Sequence, residues 1–291
     1  MRTTFRVKKE YADIFFQAAE EFQCNSPVKP LRFMEMMKSN QGMLGVMTGY
    51  GQDADGLERK NPLIVAIGDS VTAGHFEPLV SMTPEEIQQE MYLAEHNPSA
   101  LPAPEDRPAI EVTDARECFL DRFRMKLIDK YERTSVSVIN SGIAGDNICH
   151  MLLRADRDII RYQPDLVLIS ASLNWNEEFG TTADYKEILR KLVRKVKENT
   201  TAEIILLTSN GDLPNTVFGG ENAPLPTTGE RAQAIRELAQ EEQTCLADVY
   251  AVWEKARENG CPWEELLCNN INHPSVEGHE VYAMILMKLF E

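Results

Sequence analysis

The chain has 291 residues, 43% of them hydrophobic and 26% charged, the proportions of an ordinary soluble globular protein. Its 46 acidic against 30 basic residues give a formal net charge of −16. Such a field repels phosphate backbones and anionic lipid surfaces, so nucleic-acid and membrane partners are not expected, and highly anionic substrates are disfavoured.

The N-terminus reaches charged residues before any long apolar run, and no later stretch approaches the apolar length of a membrane span. Without an export signal, Cys24, Cys118, Cys149, Cys245, Cys261 and Cys268, which form no Cys-x-x-Cys pair or zinc-like grouping, read as reduced thiols. The expected location is the cytoplasm, and neither a metal nor another cofactor is expected. Residues 1–61 precede the first predicted strand. Helical spacing covers Tyr11 to Phe22 and Leu31 to Met37, and a glycine-rich stretch runs from Gly42 to Gly56. So short a segment seldom builds its own core, so an N-terminal extension packed on the main domain is expected rather than an independent module.

From residue 62 to residue 291, apolar strands alternate with amphipathic helices. Strands are predicted at 63–68, 135–140, 166–171 and 203–208, with a weaker fifth near 245–249. Continuous Val, Ile and Leu content suits a parallel sheet buried on both faces. Helical spacing covers 115–131, 147–162, 183–199 and 228–242, and a last helix runs from Val276 to Phe290. The alternation implies an α/β fold, a three-layer α/β/α sandwich on a mostly parallel five-stranded sheet. One excursion exceeds what a strand and helix require: residues 76–114, rich in proline and acidic side chains, with helical spacing from Pro84 to Glu95. Long insertions of this kind serve function or disorder, and a lid or contact role is expected for it.

The first strand runs directly into Gly68-Asp69-Ser70, placing a serine hydroxyl at the carboxyl end of a buried strand, where open α/β sheets bind ligands. The bland reading is that Ser70 only caps the next helix. Near the other terminus, Asn270-Ile271-Asn272-His273-Pro274-Ser275 puts a histidine in a stiff loop before the last helix. Between them lie Asn140-Ser141-Gly142-Ile143-Ala144-Gly145-Asp146-Asn147, after the second strand, and a third apolar strand that ends at Asn174. His75 and His279 are weaker candidates for a base, the first because position i+5 on a helix after Ser70 would point it away.

These four blocks, in this order over residues 62–291, resemble the SGNH, or GDSL, serine hydrolases. The resemblance implies a flavodoxin-like strand order of 2-1-3-4-5. It implies Ser70 as nucleophile and His273 as general base. The oxyanion hole would combine the backbone N–H groups of Ser70 and Gly145 with the Asn174 side chain. Two positions depart from the family pattern. The third block keeps only its asparagine, in Ser172-Leu173-Asn174-Trp175, and Asn270 stands where the acid that orients the histidine is usual.

In serine proteases an Asp-to-Asn change at that position lowers turnover about 10⁴-fold through the wrong tautomer. Three readings stay open here: orientation by Asn270 or a backbone carbonyl, a displaced Glu264 or Glu265, or a weakened enzyme. The function expected is hydrolysis of short-chain, chiefly acetyl, O-esters, with carbohydrates as candidate carriers, by a Ser-His dyad or atypical triad. Trp175 could stack a sugar face or plug the core, and Asn176 and Glu177 could bind hydroxyls. The partner expected is thus a small-molecule ester such as an acetylated sugar, and a homo-oligomer is compatible with this reading. The alternative from another class is a catalytically weak or inactive carbohydrate or small-molecule binder on the same scaffold.

Overall fold

A computed structural model describes residues 6–39, 61–76, 84–101, 103, 112–132, 136–176, 178–215 and 223–291. The glycine-rich stretch and much of the 76–114 excursion lie outside the described residues, as does Glu177.

The chain lays down α1 (Lys9–Glu21) and α2 (Leu31–Ser39) before β1 (Leu63–Gly68). A four-residue helix, α3 (Ser70–Ala73), follows, then β2 (His75–Phe76), α4 (Pro84–His96) and β3 (Val112–Thr113). The rest alternates as α5 (Phe119–Tyr131), β4 (Ser137–Gly142), α6 (Ile148–Asp158), β5 (Leu166–Ser170), α7 (Thr182–Asn199), β6 (Glu203–Leu207), α8 (Thr228–Glu242), β7 (Cys245–Ala247), α9 (Val249–Glu258) and α10 (Val276–Lys288).

Five strands form one parallel sheet in the order β4-β1-β5-β6-β7. Counted along the chain, that is the 2-1-3-4-5 order the resemblance implies. Alternate residues of each central strand enter opposite cores. Ile64, Ala66, Leu166, Leu168, Ile205 and Leu207 join the layer that holds α1, α2, α5, α9 and α10. Val65, Ile67, Val167, Ile169, Ile204 and Leu206 join the layer of α6, α7 and α8. Both faces are covered, which explains why these strands read as unbroken apolar runs.

The register sets up the site. Gly68 pairs with both Gly142 and Ser170, so β4, β1 and β5 end level with one another. The three segments that follow them therefore emerge side by side from one edge of the sheet.

Three local features depart from the sequence reading. The weak strand at 245–249 stops at Ala247, and after Asp248 comes α9, whose Val249, Tyr250, Val252, Trp253 and Ala256 are buried at helical spacing. The predicted 147–162 helix breaks at Ile159 into a short 3-10 turn ending at Gln163, φ 45°. The base of the long excursion is closed by antiparallel pairing of His75 with Thr113 and Phe76 with Val112.

The N-terminal helices lie against the rest of the chain. Phe15 meets Trp253 edge-on at 5.2 Å, and Phe33 meets Phe290 at 6.2 Å. The backbone N–H of Val7 donates to Glu277, and those of Arg32 and Phe33 donate to Glu203. Among the described residues no helix is long and apolar enough to cross a membrane.

Candidate active site

Two glycines let the first motif sit on the sheet edge. A Cβ on Gly68 would lie 2.0 Å from Thr72 Oγ1, and one on Gly142 would lie 2.2 Å from the Ala73 backbone nitrogen. The Thr72 side chain of α3 thus rests on the end of β1, and the α3 backbone rests on the end of β4. Asn140 links them further, donating from Nδ2 to the Thr72 carbonyl at 2.8 Å and accepting from Gly142 N–H at 2.9 Å. Gly74, at φ 83°, ends the helix after one turn. His75 consequently lies in β2 rather than on a helix, and its ring centre is 6.4 Å from that of His273. The expectation that His75 points away is corrected by this turn.

Asp69, not Ser70, caps α3: its carboxylate accepts from Val71 N–H at 3.0 Å. The capping role that competed for Ser70 is therefore filled by its neighbour. Ser70 Oγ instead lies 2.8 Å from His273 Nε2, with both residues buried. Burial raises the Asp69 carboxyl to about 6, against the lowering effects of the Val71 N–H and of the His273 charge. His279 lies behind this pair, its ring on Phe76 and Phe119 and its Nδ1 accepting from Phe119 N–H at 3.2 Å. Burial, with Arg122 and His273 adding to it, lowers His279 to about 3, so the ring stays neutral. It is a core histidine.

The loop carrying His273 is closed on itself. Cys268 N–H donates to the His273 carbonyl at 2.8 Å, and Leu267 bridges Pro274. Asn270 is exposed and holds φ 53°, a left-handed conformation that asparagine tolerates better than most residues. No hydrogen bond from its side chain to the imidazole occurs among the described contacts. Glu265 pairs with Lys8 at 2.7 Å and Glu264 is exposed, so neither is committed to the ring.

Gly145 turns the segment after β4 at φ 71°, with open space where a Cβ would point. Asn174 donates from Nδ2 to the Asp146 carbonyl at 3.0 Å, tying the segment after β5 to that turn. Beneath it lies a side chain that motif reading overlooked. Arg154 donates to the Gly68 carbonyl at 3.0 Å, the Ser141 carbonyl at 2.8 Å, Asp146 at 2.7 Å and Asp158 at 2.7 Å. One buried guanidinium thus fastens the ends of β1 and β4 to the Gly145-Asp146 turn. Its signal was a charge on the face of α6 that also presents Ile148, Met151 and Ala155 to the core.

Trp175 belongs to the core. It is 6% exposed, packs on Tyr185 and Phe179, and donates from Nε1 to the Gly180 carbonyl at 3.1 Å. Its stacking on a sugar is therefore corrected to the plug reading; Phe179, beside it, is 47% exposed. Asn176 is exposed and spends its Oδ1 on Glu178 N–H at 3.0 Å. Ser172, in the altered third block, bonds Ser209 at 2.7 Å and gives its carbonyl to the buried Arg231. Among the described residues no cluster of three or more His, Cys, Asp or Glu side chains could hold a metal ion.

Known proteins are similar to this chain in sequence and fold. An acetylxylan esterase of Geobacillus stearothermophilus is 25% identical over 173 residues, which is 54% of this chain and 74% of that protein. The crystal structure of Axe2, an acetylxylan esterase from Geobacillus stearothermophilus, superposes with a TM-score of 0.53 at 19% identity, covering 78% of this chain and 93% of that one. A putative GDSL-like lipase from Parabacteroides merdae gives a TM-score of 0.56 at 18% identity, covering 79% and 96%. The protein is a carboxylic ester hydrolase. With residues 66–281 matching the family described as GDSL-like Lipase/Acylhydrolase, the chain belongs to that family.

Proposed function

We propose that the protein removes short acyl groups, chiefly acetyl, from carbohydrate O-esters, with Ser70 as nucleophile and His273 as general base. The observation that carries this reading is the buried 2.8 Å contact between Ser70 Oγ and His273 Nε2, made across 203 residues of chain. A hydrogen bond of that length is the geometry a base needs to take the hydroxyl proton as the oxygen attacks. The ester carbonyl becomes a tetrahedral oxyanion, and the imidazolium returns its proton to the leaving alcohol. Water, deprotonated by the same imidazole, then releases the acid and regenerates the serine.

Donors for the oxyanion would be the Ser70 and Gly145 backbone N–H groups and the second amide hydrogen of Asn174, whose first is spent on Asp146. Losing one such donor typically costs about 100- to 1,000-fold in rate. The acetyl preference rests on the named activity of the acetylxylan esterase relative. The level ends of three strands, the buried Ser-His contact and the tethered Asn174 together favour an enzyme over an inactive binder.

Turnover of 4-nitrophenyl acetate and of acetylated xylooligosaccharides, with fluorophosphonate labelling at Ser70, tests the reading. Ser70→Ala should abolish labelling and lower turnover at least 1,000-fold with the fold intact. Absence of labelling in the folded wild-type protein would overturn the enzyme mechanism. Faster hydrolysis of octanoyl than of acetyl esters would overturn the acyl preference.

A further inference from the structure

We infer that Asn269, rather than Asn270, is the residue that positions His273, an inference that rests on the catalytic reading of that histidine. Asn269 Oδ1 accepts from three successive backbone N–H groups, those of Ile271 at 3.0 Å, Asn272 at 2.9 Å and His273 at 3.0 Å. Its Nδ2 donates to Asn272 Oδ1 at 3.1 Å. A single amide oxygen therefore sits at the centre of the loop and fixes the main chain from which the imidazole projects.

Two carbonyls of the loop are tied from outside. The Ile271 carbonyl accepts from Leu213 N–H at 2.8 Å, and the Asn272 carbonyl accepts from Asn210 Nδ2 at 2.8 Å. Asn210 is itself held by Tyr282, whose hydroxyl accepts from its N–H at 2.7 Å and donates to its Oδ1 at 2.9 Å. The His273 carbonyl is taken by Cys268 N–H, and Pro274 stiffens the next residue. This frame holds the backbone from which the ring projects, independently of any group that meets the imidazole itself. Asn270 is explained differently: it supplies the left-handed residue of the turn, and its side chain is exposed.

Asn269 is a positioning residue, so its removal should act on turnover rather than on binding. An error of about 1 Å in a reacting group can cost about 100-fold. Asn269→Ala should lower kcat about 10- to 100-fold with KM within about twofold of wild type. Asn269→Gln keeps the amide but displaces its oxygen by one methylene, and should behave like Asn269→Ala. Asn269→Asp keeps a short acceptor at the same place and should restore kcat to within about fivefold of wild type. Asn270→Ala should stay within about threefold. All variants are read on 4-nitrophenyl acetate beside circular dichroism and a pH-rate profile, whose shape Asn269→Asp should preserve.

Folded Asn269→Gln with wild-type kcat would overturn the inference, as would a large loss in Asn270→Ala. If Asn269→Ala fails to fold, the Gln and Asp pair decides alone. Fluorophosphonate labelling of the wild-type protein separates the two failures: labelled wild type with indifferent Asn269 variants sinks only this inference, and unlabelled wild type sinks the catalytic reading beneath it.

Discussion

Asp69 meets two conflicting demands, because it caps α3 through Val71 N–H while lying 1% exposed beneath Ser70 and His273. Burial raises its carboxyl from 3.8 to about 6, and burial raises Asp212 to about 6 as well. A carboxyl raised on folding contributes stability that is full below its unfolded value and is lost as pH climbs through the folded one. For Asp69 that window runs from 3.8 to about 6. His279 acts with the opposite sign, since its folded value of about 3 lies below 6.5 and its contribution is lost as pH falls between them. Wild-type stability therefore mixes opposing slopes, and the difference from a variant is the readable quantity. Asparagine caps helices as well as aspartate does. Asp69→Asn should thus match wild type near pH 4 and exceed it by about 2–3 kcal/mol at pH 8, at 1.36 kcal/mol per pKa unit. Its esterase rate should fall, because the negative charge favouring the His273 imidazolium is gone. Urea midpoints at both pH values check the first claim, and an unchanged difference between them would refute it.

Elements bring the motifs together through register, which only the pairing of the strands reveals, while the strands themselves were what the sequence expressed best. β1, β5 and β6 are apolar on both faces, so strand positions were legible in the residues, whereas the strand order followed only from the resemblance to the SGNH hydrolases. Ser70 and Asn174 stand where an apolar strand gives way to a polar turn, but their roles, and that of His273, could be named only because four blocks in order resemble the SGNH pattern. Less visible were features set by long-range contact. The β2–β3 pairing joins two residues to two others across the excursion and leaves no periodic trace. α9 follows a strand within two residues, and its Val-Tyr-Ala-Val-Trp run carries β-like residue types at helical spacing. Asn269 and Asn270 are adjacent and identical, and only backbone geometry separates the loop's clamp from its turn residue.

Arg154 shows what such an element-level tie is worth. Replacing it by methionine would leave Asp146 buried, with its carboxylate stripped of its main ion pair, and would take the guanidinium from the Ser141 carbonyl and from the Gly68 carbonyl, which keeps Ile143 N–H. Breaking a buried pair from one side typically costs about 3–5 kcal/mol. Arg154→Met should lose that much in urea denaturation. Arg154→Met with Asp146→Asn should recover part of it, because the uncompensated charge is removed. A double variant no more stable than the single would show that the carbonyl contacts, not the ion pair, carry the cost.

At the scale of the whole molecule, two long-range connections look similar in extent and differ in energy. Between α7 and α8, Lys186 and Arg190 reach Glu237, Glu241 and Glu242, largely at the surface. Exposed pairs of this kind contribute about 0–1 kcal/mol each and are screened by salt. The N-terminal helices instead bury aromatic surface. Phe15 is 0% exposed against Trp253, which packs near Gly278, where a Cβ would lie 3.4 Å from the indole and 2.7 Å from Pro274. A continuous packed path thus runs from α1 to the residue after His273. Truncating a buried phenylalanine to alanine costs about 3–5 kcal/mol through lost transfer energy and a cavity. Phe15→Ala should therefore lower the unfolding free energy by that amount, read as a lower urea midpoint with an unchanged m-value, in one transition seen alike by tryptophan fluorescence and by loss of esterase activity. At 15 °C without denaturant its kcat should stay within about twofold of wild type, because Asn269, Asn210 and Leu213 hold the His273 loop independently of α1. Two separated transitions, with activity surviving the first, would show that residues 6–39 fold as a unit apart from the hydrolase core.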